Sequence, residues 1–270
     1  MSFVVAPDAY ERYMGRYSEP LATGFAESLQ LRRGQRALDV GCGPGALTAV
    51  LVQRLGAGAV AAVDPSEPFV DAARSRLPGV DIRQAMAEQL PFEDGGFDVA
   101  AAQLVVHFMA DALAGLTEMA RVTRSGGIVG ACVWDHAGGR GPLSPLWRAV
   151  YDLDPDAPGE SDRPGSRAGE LAELFAAAGL QDIRASELSV TVSYPTFDDW
   201  WDPMMLGVGP GGTYIAGLDD ERRATLRAHC AELLPPAPFT VAGVAWSAVG
   251  VVGREAGVPP HSRISCRNRG

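Results

Sequence analysis

The chain has 270 residues, of which 47% are apolar, 33 acidic and 23 basic, for a formal net charge of −10. That length and balance suit one large α/β domain with an insertion and do not require two independent domains. Every basic residue is arginine, and only Arg32-Arg33 and Arg222-Arg223 are adjacent. This sparse positive charge argues against a nucleic-acid partner, which needs clustered cations against its phosphates.

In chain order, an aromatic and basic segment, Tyr10-Glu11-Arg12-Tyr13-Met14-Gly15-Arg16-Tyr17-Ser18, precedes the first apolar run. Strands are expected over residues 36–40, 59–64, 80–84, 97–103 and 127–134, several as near-continuous Val, Ala and Ile runs, the pattern of strands covered on both faces. Helices are expected between them, over 47–55, 68–77 and 111–123, and this alternation implies right-handed βαβ units in a doubly wound sheet. Residues 136–145 and 152–169 are rich in Gly, Pro and Asp and read as loops. A helix over 170–178, a strand around 183–192 and a strand or hairpin over 239–252 follow, interrupted at 195–234 by expected helices near 197–206 and 219–233. The glycine-rich run at 207–212 reads as a flexible turn, because no strand leads into it. Residues 1–254 are taken as a single domain with a helical insertion at 194–236, and residues 255–270 as a disordered tail outside the site. No stretch has the length or apolarity of a membrane span and residues 1–17 lack a signal-peptide core, so a cytoplasmic location is expected.

The most informative segment is Leu38-Asp39-Val40-Gly41-Cys42-Gly43-Pro44-Gly45. Strand, glycine turn and helix build a nucleotide pocket, because glycine accepts positive φ and lets a ligand approach the backbone. Two ligand classes fit. Gly41, Gly43 and Ala46 satisfy the loose dinucleotide pattern, with Asp64 about twenty residues on. Asp39, however, would repel phosphates and suits a ligand carrying positive charge.

The same string closely resembles motif I of class I S-adenosylmethionine-dependent methyltransferases, in the ubiquinone/menaquinone-biosynthesis-like (methyltransferase type 11) group. Residues 81–92 resemble that family's adenine-side segment, Phe97-Asp98-Val99 through Gln103 its motif IV, and Met119-Ala120-Arg121-Val122 with Ser125-Gly126-Gly127 its motif V. The resemblance covers residues 10 to about 134. It implies a Rossmann-like, doubly wound, seven-stranded sheet, mostly parallel with an antiparallel last strand, and a small helical insertion. It implies S-adenosylmethionine as cofactor, held by Asp39, Gly41, Gly43, Gly45, Asp64, Pro65, Ala87, Glu88 and Gln103. The segment 10–18 is similar to the family's lid helix, so residues 1–34 are expected to form the lid, with Arg16 pairing with the cofactor carboxylate and Tyr13 nearby.

The implied reaction is methyl transfer to a small, partly apolar acceptor at oxygen or carbon. The position after the fourth strand reads Gln103-Leu104-Val105-Val106, without the Asn/Asp-Pro-Pro-Tyr of many methylases of exocyclic base amines. His107 and His136 follow expected strand ends, where α/β sites form, and are the candidate general bases. Trp200, Trp201 and Met204 form an apolar cluster in the insertion, a candidate acceptor pocket together with Tyr13. The four cysteines (Cys42, Cys132, Cys230, Cys266) have neither metal nor disulfide spacing, and no metal is expected. A nicotinamide-dependent oxidoreductase using the same turn, and a non-catalytic module binding S-adenosylmethionine or S-adenosylhomocysteine, remain open at this point. The acceptor's identity and the oligomeric state cannot be read from the residues.

Overall fold

The computed structural model describes residues 7–253. Seven strands, β1 (Ala37–Val40), β2 (Val60–Asp64), β3 (Asp81–Gln84), β4 (Phe97–Gln103), β5 (Thr123–Trp134), β6 (Leu180–Tyr194) and β7 (Phe239–Val252), form one sheet in the order β3-β2-β1-β4-β5-β7-β6. The first five are parallel, whereas β7 runs antiparallel between β5 and β6. Every residue of β1 and β2 is buried, so their apolar runs reflect helices on both faces.

The chain enters through α1 (Pro7–Tyr10), a widened π turn at Glu11–Gly15 and α2 (Arg16–Ser28). Helices α3 (Ala46–Leu55) and α4 (Glu67–Arg76) then alternate with strands, as does α5 (Ala112–Val122), whose N-cap Asp111 accepts a hydrogen bond from the Ala114 amide. On one face Leu21 and Phe25 of α2, with Leu29 at its C-cap, pack with Leu47 and Leu51 of α3; on the other, Leu116 and Met119 of α5 pack with Phe175. Strand order reverses between β1 and β4, and the crevice beyond their carboxyl ends is where an open α/β sheet binds ligands.

Two expectations change. The expected loops at 136–145 and 152–169 flank a helix that was not expected, α6 (Ser144–Leu153), and the segment after it is pinned by buried polar groups. Ser166 is fully buried and donates to the Ser161 carbonyl at 2.8 Å, and Glu160, 4% exposed, accepts from the Trp147 indole. After α7 (Glu170–Ala177) and β6, the insertion holds α8 (Phe197–Trp201), a 3₁₀ turn at Asp202–Leu206, α9 (Gly209–Ala216) and α10 (Asp220–Leu233). The expected flexible turn at 207–212 is therefore a correction: most of it starts a helix. Pro210 presets φ in the first turn of α9. Gly212 is required by close packing, since a Cβ there would lie 2.8 Å from the Gly207 carbonyl carbon. The tail at 255–270 and Cys266 lie outside the described residues.

Phe25 is fully buried where α2 crosses the sheet. Phe25→Ala should lower unfolding stability by about 3–5 kcal/mol with an unchanged denaturant slope, read by chemical denaturation.

Candidate active site

Strand β2 ends at Asp64, and its carboxylate gathers the two turns around it. Oδ2 accepts from the Gly43 amide at 2.8 Å and Oδ1 from the Ser66 amide at 2.8 Å. Burial pushes the Asp64 carboxyl upward, and those two amide bonds oppose the shift by stabilising the charge. Each oxygen keeps acceptor capacity for a further donor. Gly41, Gly43 and Gly45 all have positive φ. A Cβ on Gly43 would meet no protein atom within 4 Å, and Gly43 lines the cleft, so this glycine keeps space clear for a ligand.

This cleft, about 860 Å³ including its open mouth, is lined among others by Gly41, Gly43, Asp64, Pro65, Ala87, Glu88 and Gln103. Tyr10 of the N-terminal helices covers one side, its ring edge-on to Phe69 at 5.3 Å. Gln103 donates from Nε2 to the Ser18 carbonyl at 2.9 Å, tying β4 to α2, while its buried Oε1 has no protein partner. Glu88 accepts at Oε1 from the amides of Ala110 (2.7 Å) and Asp111 (3.2 Å), and its buried Oε2 likewise has none. One half of each side chain organises the wall and the other half is left for something else.

Asp39 and Gly45 stand behind this wall and do not line it. Asp39, 1% exposed, accepts at Oδ2 from the Thr48 hydroxyl at 2.6 Å, so it joins β1 to α3. Burial pushes its carboxyl up to about 7; the Thr48 bond opposes this and the neighbouring Asp64 charge adds to it. Arg16 requires a correction. It is exposed, donates from Nη1 to the Asp199 carbonyl at 3.3 Å and lies over the Tyr194 ring at 5.5 Å. The arginine clamps α2 onto the insertion, and no arginine is among the described residues lining the cleft.

A second, smaller cavity of about 470 Å³ shares Tyr10, Leu104 and Phe108 with the first. Leu104 forms the partition at φ 61°, a strained conformation for a branched side chain, of the kind that collects at functional sites. Tyr13, His107, Trp134, His136, Leu143 and Glu160 are among its other walls. His107 and His136 therefore converge, with ring centroids 5.4 Å apart. Burial lowers the pKa of both imidazoles, His107 well below its ordinary value, with His136 and Arg163 adding to the effect on His107. Tyr13 Oη, His107 Nδ1, His136 Nε2 and Trp134 Nε1 are all buried without a protein partner.

Sequence reasoning missed Glu160, which stands 4.0 Å from His136 Nδ1 and accepts from Trp147 Nε1 at 2.9 Å. It also expected Trp200, Trp201 and Met204 in the acceptor pocket. Instead they are core of the insertion, each at most 3% exposed, with Phe197 packed on both indoles. Trp200 and Met204 border only a small neighbouring space, and Trp201 lines neither cavity. Cys42, Cys132 and Cys230 are free and buried, and burial raises their thiols, that of Cys230 to about 12.

A sheet in the order β3-β2-β1-β4-β5-β7-β6 with an antiparallel β7, a glycine turn after β1 and an acid ending β2 defines the class I methyltransferase fold. Residues 38–131 match a family model described as a methyltransferase domain. It is 37% identical over 115 residues (40% of this chain, 33% of the relative) to an uncharacterized 37.1 kDa protein in a transposon of Streptomyces fradiae. It is 31% identical over 131 residues (47% of this chain, 52% of the relative) to the demethylmenaquinone methyltransferase of Staphylococcus aureus. The chain thus spans between a third and about half of these relatives' lengths. Among solved structures, the YcgJ protein of Bacillus subtilis superposes with a TM-score of 0.59 at 21% identity, over 87% of this chain and 99% of that one. No helix among the described residues is long and apolar enough to cross a membrane.

Asp39 should set a pH dependence of stability. Its folded value of about 7 exceeds the ordinary 3.8, so the folded state holds the extra proton between the two and loses stability as pH rises through that window. Asp39→Asn should therefore gain stability relative to the wild type from pH about 4 to about 7 and no further above it, read by denaturation at stepped pH.

Proposed function

We propose that the chain transfers a methyl group from S-adenosylmethionine to a small, partly apolar acceptor, at oxygen or carbon. The observation that carries this reading is the junction of the two cavities. A cleft built around Asp64 shares Tyr10, Leu104 and Phe108 with a second pocket whose walls include His107, His136 and Glu160. The similarity to a protein named for demethylmenaquinone, an apolar acceptor, supports the character of the second pocket.

When bound, S-adenosylmethionine supplies a methyl group already activated by its sulfonium. What remains for the protein is to bind, orient and exclude water. Asp64 would receive the ribose hydroxyls on its free acceptor positions, in charge-assisted hydrogen bonds worth roughly 1.5–3 kcal/mol each. Ala87, Met86 and Phe69 offer apolar surface for the adenine, and the free Oε1 of Gln103 and Oε2 of Glu88 offer acceptors for its polar edges and for the ammonium group. Behind the turn, the second oxygen of the buried Asp39 has no protein donor. At the other end, Tyr13 Oη and Trp134 Nε1 would orient the acceptor, and the histidine–glutamate cluster is where its proton goes.

Calorimetry should show S-adenosylmethionine and S-adenosylhomocysteine binding with NADH giving no heat, and Asp64→Ala weakening the former at least about tenfold. Binding of NADH alone, or an Asp64→Ala variant with unchanged affinity, would rule the reading out. On an acceptor found by panel screening, His136→Gln should cut kcat by about a hundredfold or more while leaving S-adenosylhomocysteine affinity near wild type. Tight cofactor binding with no transfer over a broad panel would instead mark a non-catalytic module.

A further inference from the structure

We infer that His107, His136 and Glu160 form a divalent transition-metal site in the wall of the acceptor pocket. One donor atom from each lies within 4.8 Å of the other two, although the residues are 29 and 24 positions apart along the chain. His107 follows the end of β4, His136 follows β5, and Glu160 comes from the segment after α6. Three separate elements thus deliver ligand-type side chains to one spot, which neither helix packing nor strand pairing demands.

Three further observations point to a ligand between them. His107 is 3% exposed and Glu160 4%, and the His136 side chain is 8% exposed. His107 Nδ1 and His136 Nε2 have no protein partner, an expensive condition for buried ring nitrogens that an ion would relieve. Glu160 accepts from the Trp147 indole at Oε2, 2.9 Å away, the same oxygen that stands 4.0 Å from His136 Nδ1, so an outer hydrogen bond fixes the orientation of this carboxylate as it does in metal-ligating ones.

Two imidazoles and one carboxylate, with the remaining positions open to a pocket, form a donor set used for Zn²⁺ and Fe²⁺. Ligand bonds of about 2.0–2.2 Å place donors about 3.3 Å apart in tetrahedral geometry, so the atoms must close by up to about 1.5 Å. Small χ rotations of three side chains around an empty centre supply that movement. Arg163, bonded to the His107 carbonyl at 3.2 Å, adds positive charge nearby. The open positions face the pocket proposed above for the acceptor, so the inference rests on that reading for its purpose. An acceptor hydroxyl bound to the ion would pass its proton to ion-bound hydroxide, which leaves as water, and its oxygen would then carry the electron pair needed for methyl transfer.

The test is direct titration of the purified, chelator-treated full chain with Co²⁺, followed by visible absorption, and competition with Zn²⁺. Near-stoichiometric binding should give the intense visible bands of four- or five-coordinate cobalt, displaced by Zn²⁺. His107→Gln, His136→Gln and Glu160→Gln should each weaken Co²⁺ binding at least about tenfold, and Trp147→Phe by about tenfold through the orienting bond. S-adenosylhomocysteine calorimetry on every variant separates the two readings. Retained cofactor affinity shows a folded chain, and its loss in the wild type would sink the cofactor reading whatever cobalt does. A cobalt spectrum identical to that of the aqueous ion, or one insensitive to all three ligand substitutions in variants that still bind S-adenosylhomocysteine, would overturn the metal site.

Discussion

The geometry of the site depends on one carboxylate held by two turns. Asp64 closes β2, and its two oxygens accept from amides on different sides, Gly43 in the turn after β1 and Ser66 at the start of α4. A buried charge is stable only when it is hydrogen-bonded, and these bonds meet that need without exhausting the acceptor capacity of either oxygen. Because the donors are backbone groups, the glycine turn and the α4 N-terminus are placed by the same interaction that leaves Asp64 ready for a ligand.

The same economy recurs around the cleft. Gln103 holds α2 with its amide and keeps Oε1; Glu88 holds the loop before α5 with one oxygen and keeps the other. Buried polar atoms without a protein partner are few in native folds, yet Tyr13, Glu88, Gln103, Trp134 and both histidines contribute one each to walls of the two cavities. A ligand in either cavity would offset their cost, whereas further such atoms, on Ser18, Asp39, Trp246 and Ser247, lie outside both linings.

The N-terminal helices are fixed by mixed means. Gln103 bonds to the Ser18 carbonyl and the Tyr194 hydroxyl donates to that of Tyr17 at 2.9 Å in the interior. Outside, Arg76 pairs with Glu11 and Glu19, but exposed ion pairs of this kind contribute at most about 1 kcal/mol. The π turn at Glu11–Gly15 matters more, since an extra residue in a helical turn rotates everything after it. Tyr13 thereby faces the second cavity, while Arg16 is carried round toward Asp199 and Tyr194.

What the chain revealed without its fold was whatever sits within one strand-turn-helix unit. Gly41, Gly43, Gly45 and Asp64 are legible because an apolar run, a glycine turn and an acid at a strand end each constrain their own neighbourhood, and the five parallel strands follow from the same local periodicity. The tertiary structure decided what depends on distant partners. Glu160 comes from a Gly/Pro/Asp-rich stretch whose composition looks like solvated loop, and only the fold, in which α6 packs on α10 and Trp147 of α6 donates to it, buries it beside His136. Trp200 and Trp201 look like an apolar pocket in one dimension and become core once Phe197 stacks on them, and the face on which Arg16 lands is set by a widened helical turn that has no residue signature. Local backbone chemistry is written in consecutive residues; which side chains meet across a sheet is settled by how the layers pack.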